Sequence, residues 1–133
     1  MESRALPMPV SHGANQPRRL SVEKHYALSL REQSQVHFRA WPQRGPRTAS
    51  PRGGMFVFQV PVAARYRVSL TSRHWIDILD GDIVVPSVDH HRPGCGLVHK
   101  IVEFDLPFGR PLTLQLSGQD DSIVGLAISL APV

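Results

Sequence analysis

The chain has 133 residues, of which 41% are hydrophobic. This hydrophobic content excludes wholesale disorder, and the length is enough for one domain with one core. No apolar run approaches the roughly 20 residues that a bilayer-spanning helix needs. The formal net charge of +4 is uneven, because residues 1–53 hold nine basic and three acidic side chains whereas residues 54–133 hold six and eight.

A basic segment attracts nucleic acid or an anionic membrane when its charges are concentrated. Here the basic residues are scattered among proline, glycine and serine, without a tight run and without interleaved aromatic residues. We therefore expect residues 1–22 to form a flexible basic arm and residues 23–133 to form a single domain. The same pattern predicts no nucleic-acid partner and no transmembrane segment.

Cys95 is the one cysteine of the chain, so we expect no intrachain disulfide. A single cysteine fits a reducing compartment but leaves export open. The first residues lack the apolar region of a signal peptide, which favours the cytoplasm as one of two possible locations.

In the N-terminal half, apolar and polar residues alternate over three short stretches, which is the pattern of half-buried strands. These predicted strands cover residues 26–30, 36–40 and 56–60. Residues 41–54 between them contain three prolines and three glycines, so we expect a long loop without regular pairing.

The C-terminal half predicts six more strands, at residues 66–70, 75–79, 83–85, 98–106, 112–116 and 124–130. Asp80 and Gly81 separate two of them and predict a tight hairpin, because both residues can take positive φ. About nine short strands and no helix indicate an all-β fold, namely an antiparallel β-sandwich or jelly roll.

Lys100 shares the parity of Val98 and Val102, which are expected to face the core. A lysine at such a position predicts partial burial, with its ammonium group bound to a carboxylate or a carbonyl oxygen.

The only dense group of metal-binding side chain types lies in and just after the loop at residues 86–97. Imidazole and thiolate groups bind copper and zinc, so His90, His91, Cys95 and His99 are the candidate metal ligands, with Asp89 beside them. A polar loop with a small buried cysteine is the alternative. No complete catalytic set is present, because Cys95 lacks an orienting third group for nucleophilic catalysis.

Several stretches resemble a group of small bacterial proteins, many of them exported, whose β-sandwich is similar to pre-peptidase C-terminal domains. The resemblance covers about residues 22–132 and rests on FQVP at 58–61, YRVSL at 66–70, WIDIL at 75–79, Gly94 with Cys95, the alternation of Lys100, Val102 and Phe104, and LQLSG at 114–118. It implies a β-sandwich and a periplasmic or exported location. Some members of the group are labelled homogentisate dioxygenase, which implies a metal-dependent oxygenase.

Three functions follow from these observations. The first is a non-enzymatic accessory module that binds a protein, a glycan or an envelope component. The second is a copper- or zinc-binding protein that uses residues 89–99. The third is a small metal-dependent dioxygenase, which rests on the resemblance.

Overall fold

The computed structural model describes residues 7–8, 17–93 and 96–132. Two sheets pack face to face, which confirms the all-β sandwich; the jelly-roll variant stays a prediction. In order across the first sheet, its strands are β1 (Pro7–Met8), β3 (His25–Ser29), β12 (Ile123–Leu130), β6 (Ala64–Leu70), β10 (Lys100–Leu106) and β9 (Asp89–His91). The second sheet contains β2 (Arg18–Arg19), β5 (Arg52–Phe58), β11 (Leu112–Gln119), β7 (Trp75–Asp80) and β8 (Ile83–Val85), with β4 (Arg31–Glu32) also beside β5.

The core lies between the sheets and is built from alternate residues of the long strands, as the sequence pattern predicts. From the first sheet it includes Tyr66, Val68, Leu70, Phe104, Leu126 and Ile128, and from the second Phe56, Phe58, Ile78, Leu112, Leu114 and Leu116. Neighbouring strands are antiparallel except for β1 beside β3 and β2 beside β5.

Eight of the nine predicted strands are present, and the prediction for residues 36–40 is wrong. The chain forms a short 3₁₀ helix at Gln33–Gln35 and then runs without regular pairing until β5 begins at Arg52. The long loop therefore covers residues 36–51 and is shifted toward the N-terminus from its predicted range. The alternation at residues 36–40 has another cause. This segment lies over the outer side of the second sheet, so one of its sides is covered and the other is exposed, as in a half-buried strand.

The loop at residues 36–51 covers the outer side of the second sheet. The side-chain amide of Gln115 on β11 accepts from the backbone N–H of Arg39 and donates to the carbonyl oxygen of Ala40. Asp77 on β7 accepts from the N–H of Gln43. As a result, all residues from 112 to 118 are buried, including the polar ones that the alternation places on the outer side.

Part of the predicted N-terminal arm is attached to the sandwich. Arg18 and Arg19 pair with β5 and expose their side chains, while Leu20 is buried in the core. Residues 1–6 and 9–16 lie outside the described residues. The arm's predicted boundary at residue 22 thus falls after Leu20, which packs into the core.

The predicted hairpin between β7 and β8 is present, with Asp80 opposite Ile83. Gly81 has a φ of 63°, and Asp82 is not among the non-glycine residues with positive φ. This matches a type II′ turn, which needs a glycine at its first central position only.

The two ends of the sandwich differ in character. One end carries the turns at residues 59–63, 81–82 and 107–111. The other end carries the segments at 71–74, 92–99 and 119–122 together with the long loop at 36–51. Both of the side-chain groups described below lie at or near this second end.

Candidate functional site

Among the residues that the structure describes, the predicted ligands His90, His91 and His99 do not form one group. His91 is on β9, opposite Ile101 of β10, and His90 is opposite Val102, so their side chains project from opposite faces of the sheet. His99 is exposed just before β10, and its backbone N–H donates to Leu70. Cys95 lies outside the described residues.

His91 instead belongs to a group on the outer face of the first sheet, which we call the outer-face group: Asp89, His91 and Glu103. Their donor atoms lie within 4.8 Å of one another. The Nε2 atom of His91 is 3.2 Å from Glu103 Oε2 and 3.6 Å from Asp89 Oδ2. Cross-strand pairing causes this proximity, because Asp89 is directly opposite Glu103 in the register of β9 and β10.

Glu103 is already engaged by basic side chains of β6. Its side chain is only 8% exposed, and Oε2 accepts from Nε of Arg67 at 3.0 Å. Arg65 approaches the other oxygen at 4.0 Å. A metal ion bound by the outer-face group would therefore have to share Glu103 with Arg67, or displace it.

Lys100 is half-buried, and its Nζ donates to the backbone carbonyl of His74 at 2.9 Å. The prediction of partial burial with a carbonyl or carboxylate partner is confirmed. Nζ also lies 5.1 Å from the centre of the Trp75 ring, and the guanidinium carbon of Arg44 lies 4.8 Å from the same ring centre. Both distances are in the range of cation–π attraction.

Lys100 is the centre of a group of positive charges, which we call the Lys100 cluster: Lys100, Arg44, which also lies over the Trp75 ring, and Arg47 and Arg92, whose charges act on Lys100. Burial and then the positive charges of Arg44, Arg92 and Arg47 together lower the pKa of Lys100 to about 8, against the opposing charge of Asp77. The three arginines come from two different segments and are exposed. The cluster is therefore open to solvent around a partly desolvated ammonium group.

His74 accepts the hydrogen bond of Lys100 through its backbone carbonyl, and its ring is neutral. Its ring is 0% exposed, with Nδ1 2.7 Å from the Ser72 hydroxyl and Nε2 3.1 Å from the Arg52 carbonyl oxygen. Because a carbonyl can only accept, Nε2 carries the proton and Nδ1 accepts from Ser72. Burial lowers the pKa of His74, so its ring adds no positive charge beside Lys100.

Asp77 connects Trp75 to the long loop at residues 36–51 by two hydrogen bonds. One carboxylate oxygen accepts from the indole N–H of Trp75 at 2.9 Å, and the other accepts from the N–H of Gln43 at 3.0 Å. These two bonds fix the Trp75 ring and place Arg44, the next residue after Gln43, over it. Burial raises the pKa of Asp77, and the two donated bonds oppose that shift.

Trp41 lies on the same loop and is 89% exposed. Its backbone is held on both sides, because Ala40 is bound to Gln115 and Gln43 is bound to Asp77. An indole that an anchored backbone presents to water exposes a large apolar surface that folding does not bury.

The arginines elsewhere on the sandwich provide a contrast. Arg110 pairs with Asp80 at 3.0 Å and Arg65 pairs with Asp105 at 3.1 Å, both beside a cleft of about 490 Å³ at the opposite end. Among the described residues, the structure records no carboxylate within 4.0 Å of the cationic groups of the Lys100 cluster. Positive charge is thus matched at one end and unmatched at the other.

Comparisons of the chain with protein-family models, with curated proteins and with solved structures found no match. The resemblance to exported bacterial β-sandwich proteins therefore stays a prediction. Within the residues that the structure describes, no helix is long and apolar enough to cross a membrane.

Sequence reasoning identified Lys100 as unusual and missed the arginines around it. Arg44, Arg47 and Arg92 are separated from Lys100 by 8 to 56 positions; the packing of the long loop against β7 brings the first two near Lys100, and the pairing of β9 with β10 brings Arg92. Glu103 was missed as a partner of His91, because only the pairing of β9 with β10 brings the two residues together.

Proposed function

We propose that this protein is a non-enzymatic β-sandwich module that binds an anionic ligand at the Lys100 cluster. The observation that carries the proposal is that Lys100 and Arg44 lie over the Trp75 ring with the charges of Arg47 and Arg92 acting on Lys100, while the described residues place no carboxylate within 4.0 Å of these four cationic groups. Like charges repel one another, so a group of this kind is more stable when an anion occupies it. Phosphate, sulfate and carboxylate groups share the required chemistry, and arginine binds all three through paired N–H donors.

The arrangement of the cluster favours binding over catalysis. A guanidinium group offers only N–H donors and no acceptor, so the arginines of the cluster supply no general base. His74 is buried, and both of its ring nitrogens are occupied by Ser72 and Arg52. The remaining groups hold and orient a negative charge, which is the task of a recognition site.

The test is a calorimetric titration at pH 7 with two small anions, tripolyphosphate and benzene-1,3,5-tricarboxylate, which separate phosphate from carboxylate recognition. We expect Arg44→Gln to weaken binding of the preferred anion about tenfold, because a charge-assisted hydrogen bond contributes about 1.5–3 kcal/mol. Arg110→Gln is the matched control at the opposite end and should leave the affinity unchanged.

Equal losses in the two variants would show that binding depends only on total charge. Failure of wild-type protein to bind either anion would also contradict the proposal. Both arginines are exposed, so neither variant is expected to disturb folding.

The outer-face group supports a second candidate function, which is binding of a divalent metal. It offers one imidazole and two carboxylates, a set that zinc accepts. Non-heme iron oxygenases use two histidines and one carboxylate, so the group favours metal binding over the dioxygenase that the sequence resemblance implies.

The metal candidate is tested by titrating zinc and copper into wild-type protein, His91→Ala and His90→Ala. We expect stoichiometric binding that His91→Ala abolishes and His90→Ala preserves, because His90 projects from the other face of the sheet. Equal affinities in all three proteins, or the absence of stoichiometric metal, would eliminate this candidate. Loss in both variants would instead favour the ligand set predicted from the sequence.

A further inference from the structure

Trp41 lies on the same long loop as Arg44 and Arg47, so an exposed indole and a group of positive charges occupy one part of the surface. Arg44 is three positions after Trp41, and three extended residues span at most about 11 Å. Arg44 in turn lies over Trp75. A ligand that binds the cationic groups therefore needs only a short additional length to reach the exposed indole.

We propose that this surface binds single-stranded nucleic acid, with phosphates at the Lys100 cluster and a base stacked on Trp41. This inference rests on the proposed function and identifies the chemical class of its ligand. Proteins that bind single strands without sequence preference combine a basic surface with aromatic side chains, and such surfaces accommodate about 4–16 nucleotides per small β-domain.

The separation of charge and ring favours a nucleotide over a sulfated sugar. A nucleotide carries its charge on the phosphate and presents a neutral, flat base at a distance. A heavily sulfated sugar carries its charges on the ring itself, which leaves little neutral surface for an indole. In this protein the exposed indole and the cations also occupy separate places, so the nucleotide matches the surface better.

Single-stranded and not double-stranded nucleic acid fits, because the bases of a duplex are stacked and paired and cannot reach an indole. The sequence alone predicts no nucleic-acid partner, since its basic residues show no interleaved aromatic residues. That interleaving is created by the fold, which places Arg44 and Lys100 over the ring of Trp75 and presents Trp41 on the same anchored loop as Arg44.

The experiment compares a labelled 12-nucleotide oligothymidylate with an abasic oligonucleotide of the same length, by fluorescence anisotropy at low salt. The two ligands carry the same phosphates and differ only in their bases. We expect Trp41→Ala to weaken oligothymidylate binding about tenfold and to leave abasic binding unchanged, because stacking on one aromatic side chain is lost. Trp41→Phe should retain most of the affinity.

Salt dependence provides a second readout that is independent of stacking. The logarithm of the oligothymidylate affinity should fall with the logarithm of salt concentration with a slope of about −3, as expected for four neutralised phosphates on a single strand. Arg92→Gln should reduce the magnitude of this slope by about 0.7.

Two results would overturn the inference. One is equal affinity of Trp41→Ala and wild type for oligothymidylate, with anion binding intact. The other is binding of heparin that depends on Trp41 while oligothymidylate fails to bind. In both cases the proposed anion-binding function would survive if tripolyphosphate or the tricarboxylate binds, so failure of the two proposals can be distinguished.

Discussion

Lys100 illustrates how one residue acquires its properties from its surroundings. Its strand position directs it toward the core, and the carbonyl oxygen of His74 accepts one of its hydrogen bonds. Burial and three arginines disfavour its charged form. A bound anion would oppose the effect of the three arginines, because its negative charge favours the charged form of Lys100.

This reasoning predicts that anion binding weakens with rising pH. The pKa of Lys100 in the free protein is about 8, and a bound anion raises it. Below pH 8 Lys100 is charged before binding, whereas above pH 8 binding must take up a proton. We expect the affinity for the abasic oligonucleotide, whose phosphodiesters keep a constant charge, to be about fivefold weaker at pH 9 than at pH 7.

Lys100→Arg is the control for this pH dependence, because arginine stays charged throughout the range. Its affinity should be the same at pH 7 and pH 9. A wild-type affinity that does not change between these values, or an equal change in Lys100→Arg, would show that Lys100 does not contact the anion.

At the scale of elements, the close contact between β5 and β11 depends on a glycine. A Cβ atom on Gly53 would lie 2.5 Å from the backbone oxygen of Leu116, a distance that side chains do not tolerate. Gly45, on the long loop, has nothing within 4 Å of the corresponding position. Neither glycine has positive φ, so space alone distinguishes them.

We therefore expect Gly53→Ala to lower the free energy of unfolding by about 1–3 kcal/mol, because β5 or β11 must shift to accommodate the methyl group. Gly45→Ala should leave the free energy of unfolding within about 0.5 kcal/mol of wild type. Urea denaturation monitored by tryptophan fluorescence measures both variants. Equal stability of the two would contradict the close packing of these strands.

Most of the strands that sequence analysis predicts are long enough to show alternation, and the three-residue strand at 83–85 was instead recognised from its β-branched residues after the turn at Asp80 and Gly81. The alternation at residues 66–70, 112–116 and 124–130 indicates strands with one side facing the core and the other side less buried. In the structure these segments belong to β6, β11 and β12. Strands β1, β2, β4 and β9 have two or three residues, which is too short for a periodic signal. Residues 36–40 alternate as well, but no sheet edge is available beside them, and no local pattern reports that.

At the scale of the whole molecule, the fold distributes charge in a way that composition does not show. The excess of basic residues falls in the N-terminal part of the sequence, whereas the Lys100 cluster combines residues of the N-terminal and C-terminal parts. The opposite end pairs Arg65 and Arg110 with aspartates. Sequence analysis could therefore predict the sandwich and single out Lys100, but the site arises from long-range packing of the loop on β7.

The most direct test of the anion-binding site is its location on the molecule. Tripolyphosphate can be titrated into ¹⁵N-labelled protein while the amide chemical shifts are followed. We predict saturable changes concentrated at residues 41–47, 74–75, 92–93 and 100, with little change at residues 59–63, 81–82 and 107–111. Changes concentrated at those three turns, or spread evenly over all exposed basic residues, would contradict the account.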